Sequence, residues 1–335
     1  LQEDFKMSKK SLALISSAAC LLLLSACSSQ DADSSLPVTT SVASSSTGPT
    51  LPVNDPGSLP SESETSRTES PSSTPESSAP PQTTRPPATT QPPEPTAPPT
   101  AATVNVTIPE GFTLPQIAAR LEEKGVCSKA DFLKMAQTYD FSYYSLIGAM
   151  PDNSHRCFKL EGYLYPNTYN FYKDMKPQDA IGVLLRGSQA NIEGRYSYSG
   201  MSTHDLVILA SIIEKEAPGA ADRKLISGVF HNRLKKGWKL EADPTINYVE
   251  DYIKPNITGD KNRYSAYYNT YKCAALPAGP ICNPGASALD AAANPTETDY
   301  MYFVSDKVTG EIYYAVTYEE HILNLEKAGY PQNAA

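Results

Sequence analysis

The chain has 335 residues, with 37 acidic side chains against 28 basic ones, a net charge of −9 and no basic stripe or block outside its first third. That balance argues against a nucleic-acid partner. Its four histidines stand alone and it has neither a CxxC nor an HExxH spacing, so neither a metal site nor any other cofactor is expected.

In chain order, Met7 is taken as the start, followed by Lys9 and Lys10 and an apolar run from Leu12 to Leu24. About 13 apolar residues fall short of the ~20 of a membrane-spanning helix but fit the core of a signal peptide. The ending Leu24-Ser25-Ala26-Cys27 resembles a bacterial lipobox. Residues 1–27 are therefore expected to be a lipoprotein signal, with Cys27 the lipidated first residue of the mature chain. The product would be held by that lipid on the outer face of the cell membrane. Residues 28–102 are mostly Ser, Thr and Pro. Such a stretch buries too little apolar surface to order itself, and is expected to be a disordered tether spanning roughly 50 Å.

The remainder predicts an α+β fold in two parts. Residues 103–200 open with a strand in "TVNVTIPEG" and a helix in "TLPQIAARLEEKGV" stopped by Gly125. "SKADFLKMAQTY" follows, with Ser128 and Asp131 in capping-box spacing. Together these read as a small LysM-like module. "LEGYLYPNTYNF" reads as a rigid aromatic connector before another helix in "MKPQDAIGVLLRG". Residues 201–335 read as a mainly helical domain with a small sheet. Ser202 and Asp205 cap a helix whose Leu206, Leu209, Ala210, Ile213 and Ala217 share one face. A second helix from about Asp222 to Lys236 points Leu225, Val229, Phe230 and Leu234 inward. "EADPTINYV" puts Asp243 at an N-cap and Pro244 at the first helical position. "YMYFVS" and "EIYYAV" make a hairpin, and Thr317 with Glu320 caps a last helix.

With Cys20 removed and Cys27 lipidated, Cys127, Cys157, Cys273 and Cys282 remain. Outside the cytoplasm an even number permits two disulfides in any of three pairings, the sequence-local choice being Cys127 with Cys157 and Cys273 with Cys282.

Two acids close the first helix of that domain in "LASIIEKEAPG". At 100° per residue, Glu214 and Glu216 lie about 200° apart, so only one of them can be the working acid of a cleft. Residues three and four before Glu216 are Ile213 and Ile212, whereas those before Glu214 are Ser211 and Ala210. Apolar neighbours raise a carboxyl pKa, which suits a general acid near neutrality and favours Glu216. On these residues alone, a pair of surface acids at a helix end stays open beside catalysis.

"ASIIEKEA", "DRKLISGVFHNRL", "LEADPTINY", "YYNTY", "LPAGPICNPG" and "NPTETDYMYFV" stand in an order that resembles the MltG-like (YceG-like) endolytic murein transglycosylases, over about Val104 to Asn324. The resemblance implies cleavage of the MurNAc–GlcNAc bond inside peptidoglycan glycan strands, leaving 1,6-anhydro-MurNAc ends. It makes the second glutamate, Glu216, the catalytic acid, with Glu214 as fallback, and places wall-synthesis enzymes among the expected partners. Such an enzyme manages with one carboxylate, where ordinary glycosidases need two. Asn232, Asp243, Thr245, Tyr268, Asn269 and Glu161 are the expected substrate contacts, although Asp243 and Thr245 have a full structural explanation as caps, Asn232 one as a helix-surface residue and Glu161 one as a brace for the connector. The chain departs from the family in its lipobox and tether in place of a transmembrane helix, in a single LysM-like repeat, and in Glu241 where Gln is usual. The alternatives are a peptidoglycan-binding lipoprotein without activity, and a hydrolase that adds water with Glu241 or Asp243 as second carboxylate.

Overall fold

A computed structural model describes residues 102–217, 219–273 and 275–331; the apolar run, Cys27 and the Ser/Thr/Pro-rich stretch lie outside them. Strand β1 (Thr103–Ile108) pairs antiparallel with β2 (Asn167–Tyr172), Val104 facing Phe171 and Ile108 facing Asn167. Alternation turns Val106, Ile108 and Phe171 into the core, while Thr107 and Thr168 join hydroxyls at 2.8 Å on the outer face. The Tyr-rich connector thus supplies a strand, because its second half alternates and finds a partner about 60 residues upstream.

Helix α1 (Leu114–Glu123) starts at Thr113, whose N–H donates to Gln116 Oε1 at 2.9 Å, and ends where Gly125 adopts φ +70°. In α2 (Lys129–Thr138), Ser128 Oγ accepts from Asp131 N at 3.1 Å. Leu114, Ile117 and Leu121 of α1 and Phe132 of α2 are fully buried. The short α3 (Ser145–Gly148) leads to the connector, and α4 (Pro177–Ile192) packs on α2 and β2.

Helix α5 (Thr203–Glu216) carries the expected capping box, Ser202 Oγ accepting from Asp205 N at 3.1 Å. It is buried on every side from Leu206 to Ile213, not on one face only, because α6 (Ala220–Lys235), α7 (Pro244–Tyr248) and α9 (Ala286–Ala293) all lie against it. The buried face of α6 is Ile226, Val229, Phe230 and Arg233; Leu225 and Leu234 are only half-buried. The helix is turned so that Arg233 points in. Short α8 (Tyr264–Tyr268) follows, then the hairpin of β3 (Tyr302–Ser305) and β4 (Ile312–Ala315). Helix α10 (Tyr318–Lys327) packs on that hairpin, Thr317 Oγ1 accepting from Glu320 N at 3.2 Å. The architecture is α+β, helices with two small antiparallel sheets. Buried side chains before and after residue 200, Val106, Phe132 and Leu164 with Leu209, Ile213 and Phe230, join one hydrophobic core.

All four described cysteines are free, which overturns the paired reading. Cys282 is enclosed beside α5, its Sγ donating to Ser211 O at 3.3 Å, whereas Cys273 Sγ donates to Asn269 O at 3.2 Å in its own loop. Burial pushes the Cys127 thiol up to about 11 and the Cys157 thiol up to about 12. Among the described residues no helix is long and apolar enough to cross a membrane.

Candidate active site

The last turn of α5 separates the two glutamates as the helical angle requires. Glu214 accepts from Arg223 Nη2 at 2.8 Å and from Gly285 N at 3.0 Å, with its side chain 6% exposed. Burial raises its pKa, and the Gly285 N–H and the Arg223 charge oppose that rise. It is an anchored ion-pair member joining α5, α6 and the entry to α9.

Glu216 is half-buried and, among the described residues, has neither a hydrogen-bond partner nor an ion-pair partner. Desolvation first, and the negative charge of Asp243 second, push its pKa up to about 8, against the opposing pull of Arg233. A carboxyl so placed holds its proton at neutral pH and has no neighbour to which that proton is committed. This is what a general acid requires.

Asp243 stands at the N-cap position of α7, yet its own backbone is helical (φ −54°, ψ −37°) and its side chain caps nothing. Its Oδ1 instead accepts from Tyr271 Oη at 2.8 Å. Capping therefore does not account for the residue. Two positions earlier Glu241 takes φ +52°, a left-handed conformation uncommon for a non-glycine residue. Tyr271 is 42% exposed, and burial followed by its bond to Asp243 raises its pKa.

Arg233 is buried and closes the same group of charges. Its Nε donates to Met301 O at 2.8 Å and its Nη1 to Leu240 O at 2.7 Å, while Glu241 Oε2 lies 3.5 Å from Nη1. Its guanidinium also lies over Tyr302, 5.7 Å from the ring centroid. Sequence reasoning missed Arg233 and Tyr271. An arginine three residues past Phe230 on an inward face was the available signal for the first, and proximity to "YYNT" the signal for the second.

Other expected contacts are placed elsewhere. Thr245 is fully buried, its Oγ1 donating to Ala242 O at 2.7 Å, so it stitches the turn and cannot meet a substrate. Tyr268 is fully buried too, accepting from Cys157 N at 3.1 Å and packing on Tyr248, so no sugar can stack on it. Glu161 is a buried hub: it accepts from Leu114 N, Tyr248 Oη and Asn283 Nδ2, each at 2.9 Å, which braces the connector and removes it from the substrate contacts. Burial pushes its pKa up to about 7. Asn232 directs both amide hydrogens to the main chain, Thr298 O at 2.7 Å and Tyr300 O at 3.0 Å, and so pins the approach to β3. Asn269 Oδ1 accepts from Tyr271 N at 2.8 Å and holds the Tyr271 loop.

The YceG-like family matches residues 94–327. A Bacillus subtilis (strain 168) protein named endolytic murein transglycosylase is 35% identical over 239 residues, which are 68% of this chain and 66% of that one. A Streptococcus pneumoniae (serotype 2, strain D39) protein of the same name is 32% identical over 240 residues, 66% of this chain and 44% of that one. The chain thus spans just under two thirds of the first relative and less than half of the second. The 2.6 Å crystal structure of a YceG-like protein from Listeria monocytogenes matches with a TM-score of 0.56 and 39% identity, over 65% of this chain and 74% of that one. The chain belongs to the YceG-like family.

Proposed function

We propose that this chain is an endolytic peptidoglycan lytic transglycosylase, with Glu216 serving first as acid and then as base. The observation that carries the reading is the contrast at the end of α5. Glu214 is tied to Arg223 and Gly285, while Glu216 is desolvated, unpaired and raised to about 8. The names of the relatives in B. subtilis and S. pneumoniae point the same way.

In this mechanism protonated Glu216 gives its proton to the glycosidic oxygen between MurNAc and GlcNAc as the C1–O bond breaks. The resulting carboxylate takes the proton of the MurNAc C6 hydroxyl, whose oxygen bonds to C1. The products are a free hydroxyl on GlcNAc and a 1,6-anhydro ring. No water is consumed, and Glu216 ends protonated as it began. Asp243 keeps the proton on Glu216 by repulsion and, with Tyr271, offers the polar edge for sugar hydroxyls.

Residues 201–335 would form the catalytic part and residues 103–200 a LysM-like strand-holding part. Lipidation at Cys27 and the 28–102 tether would set both outside the cytoplasm, near wall-synthesis enzymes. A second reading, a hydrolase that adds water, is favoured by the charge of Asp243 beside Glu216. Incubating the full chain and its Glu216→Gln variant with uncrosslinked strands, read by mass spectrometry, separates the cases. Internal fragments with anhydro ends, absent from the variant, support the transglycosylase. Reducing ends establish the hydrolase, and intact strands with both proteins sink both readings.

A further inference from the structure

A cavity of about 450 Å³ opens beside the first turns of α5, and neither Glu216, Asp243 nor Tyr271 lines it. Its walls are largely aliphatic, with Met201, Ile208, Leu234 and Leu276 among them. A cavity of that size, mostly apolar with a few convergent polar groups, has the form of a ligand site. The polar groups here are led by Arg156 and His204.

Arg156 is only partly satisfied by its neighbours. Its Nη2 donates to Pro151 O at 3.1 Å and to His204 Nε2 at 2.8 Å, and Nη1 meets only Met150 Sδ at 3.2 Å. Its Nε–H is buried without an acceptor. Among the described residues no carboxylate lies within ion-pair distance of the guanidinium.

His204 cannot supply the missing charge. Because Nε2 accepts from Arg156, the ring hydrogen sits on Nδ1 and donates to Tyr163 Oη at 2.7 Å, which defines a neutral ring. Burial, followed by the Arg156 charge, holds its pKa down to about 4. Of the two acids on the cavity wall, Asp205 directs its carboxylate to Ser202 N at 3.0 Å and Ser202 Oγ at 2.7 Å. Asp152 stands exposed at the rim, where its charge acts on Arg156 without contact.

Partly buried charges are ordinarily paired, and with both Nη2 hydrogens committed the guanidinium keeps its charge and one Nη1 hydrogen for a small anion such as a carboxylate. The aliphatic walls around it suit small apolar side chains next to that carboxylate. We propose that this cavity binds the carboxylate end of a short peptide with small aliphatic side chains, held by Arg156. Given the activity proposed above, on which this identification of the source rests, that peptide is the stem carried by the wall strand.

The probe is N-acetyl-D-alanyl-D-alanine, titrated onto the full chain by saturation-transfer NMR beside its C-terminal amide and free acetate. The acid is expected to bind saturably and the amide about tenfold more weakly, the loss of one charge-assisted contact. Acetate should fail to displace the acid at equal concentration, since it lacks the groups that meet the walls. Arg156→Gln should weaken the acid as far as amidation does, with Arg156→Lys in between. Equal binding of acid and amide, displacement by acetate, or no binding overturns the assignment, and none of these depends on a variant folding. Stem-free strands digested in parallel separate the two readings. Cleavage without dipeptide binding removes the cavity assignment alone. Binding without cleavage leaves Arg156 as the carboxylate site and removes the wall strand as its source.

Discussion

Glu214→Gln separates structure from chemistry at the end of α5. The pair it breaks is nearly enclosed, with side chains 6% exposed for Glu214 and 11% for Arg223. The amide oxygen can still accept from Gly285 N, but Arg223 loses its counter-charge. Leaving one partner of a buried pair uncompensated costs about 3–5 kcal/mol. Arg223 keeps a bond from Nε to Ala217 O at 3.1 Å, and the amide escapes the desolvation that raises the Glu214 pKa, so the expected loss lies below that range, about 1–2 kcal/mol. With a urea slope of roughly 1–3 kcal/mol per molar, the midpoint should fall by about 0.3–2 M. Strand cleavage, assayed where circular dichroism shows the variant folded, should stay near the wild-type rate. The double variant Glu214→Gln with Arg223→Met should recover much of the stability, because no charge is then stranded and the amide oxygen still accepts from Gly285 N. A folded Glu214→Gln protein without activity, beside an active Glu216→Gln, would reverse the assignment of the acid. An unmoved urea midpoint would refute the claim that the pair is desolvated.

The Glu216 environment predicts two pH effects. Its folded pKa, about 8, lies above the ordinary 4.5, so the native chain holds a proton that the unfolded chain has lost between those values. Its contribution to stability is therefore complete below about pH 4.5 and falls away up to about pH 8; urea midpoints of wild type and Glu216→Gln should diverge over that window, the variant being the more stable at its upper end. In the rate profile, cleavage should fall above about pH 8 as the acid form disappears, and a rate still rising past pH 9 would count against Glu216 as proton donor. Asp243→Asn removes the repulsion that helps hold the proton, so the basic limb should move to lower pH, which a kcat against pH series reads directly. Glu161→Ala leaves Leu114 N and Tyr248 Oη buried without an acceptor and Asn283 Nδ2 with Phe112 O alone; thermal and urea unfolding should show a loss of at least about 3 kcal/mol.

What was legible in the sequence was local. The caps at Ser128, Ser202 and Thr317 stand where the spacing put them, because a capping box joins residues three apart and needs no tertiary knowledge. The opposite orientations of Glu214 and Glu216 follow from the helix angle alone, and the distinct surroundings of the two acids were foreshadowed by Ile212 and Ile213. The rest was set at long range. Glu161 reads as a cleft acid until its donors arrive from positions 114, 248 and 283. Tyr268 is lost to stacking because Tyr248 and the Cys157 amide enclose it. Asp243 looked like a cap by position, and only the backbone angles that deny it a capping geometry free its carboxylate for Tyr271.

Helix α5 ties these observations together. It is enclosed from Leu206 to Ile213, so it moves only with the core around it. His204, which orients Arg156, sits in its first turn, and Glu216 closes its last. Twelve residues at the helical rise set those positions about 18 Å apart along the axis. A flexible loop at either end would let that spacing drift; a buried helix with a capping box at Ser202 does not. On the proposed reading, the bond cut at Glu216 would lie at a fixed distance from a carboxylate held at Arg156, so stem-bearing strands should be cut at a more uniform register than stripped ones. The capping box offers the check. Ser202→Ala removes the acceptor for Asp205 N and loosens the first turn by about 1 kcal/mol. It should broaden the fragment-length distribution from stem-bearing strands while leaving that from stripped strands unchanged. If both distributions broaden together, or neither does, α5 is not the element that links the two sites.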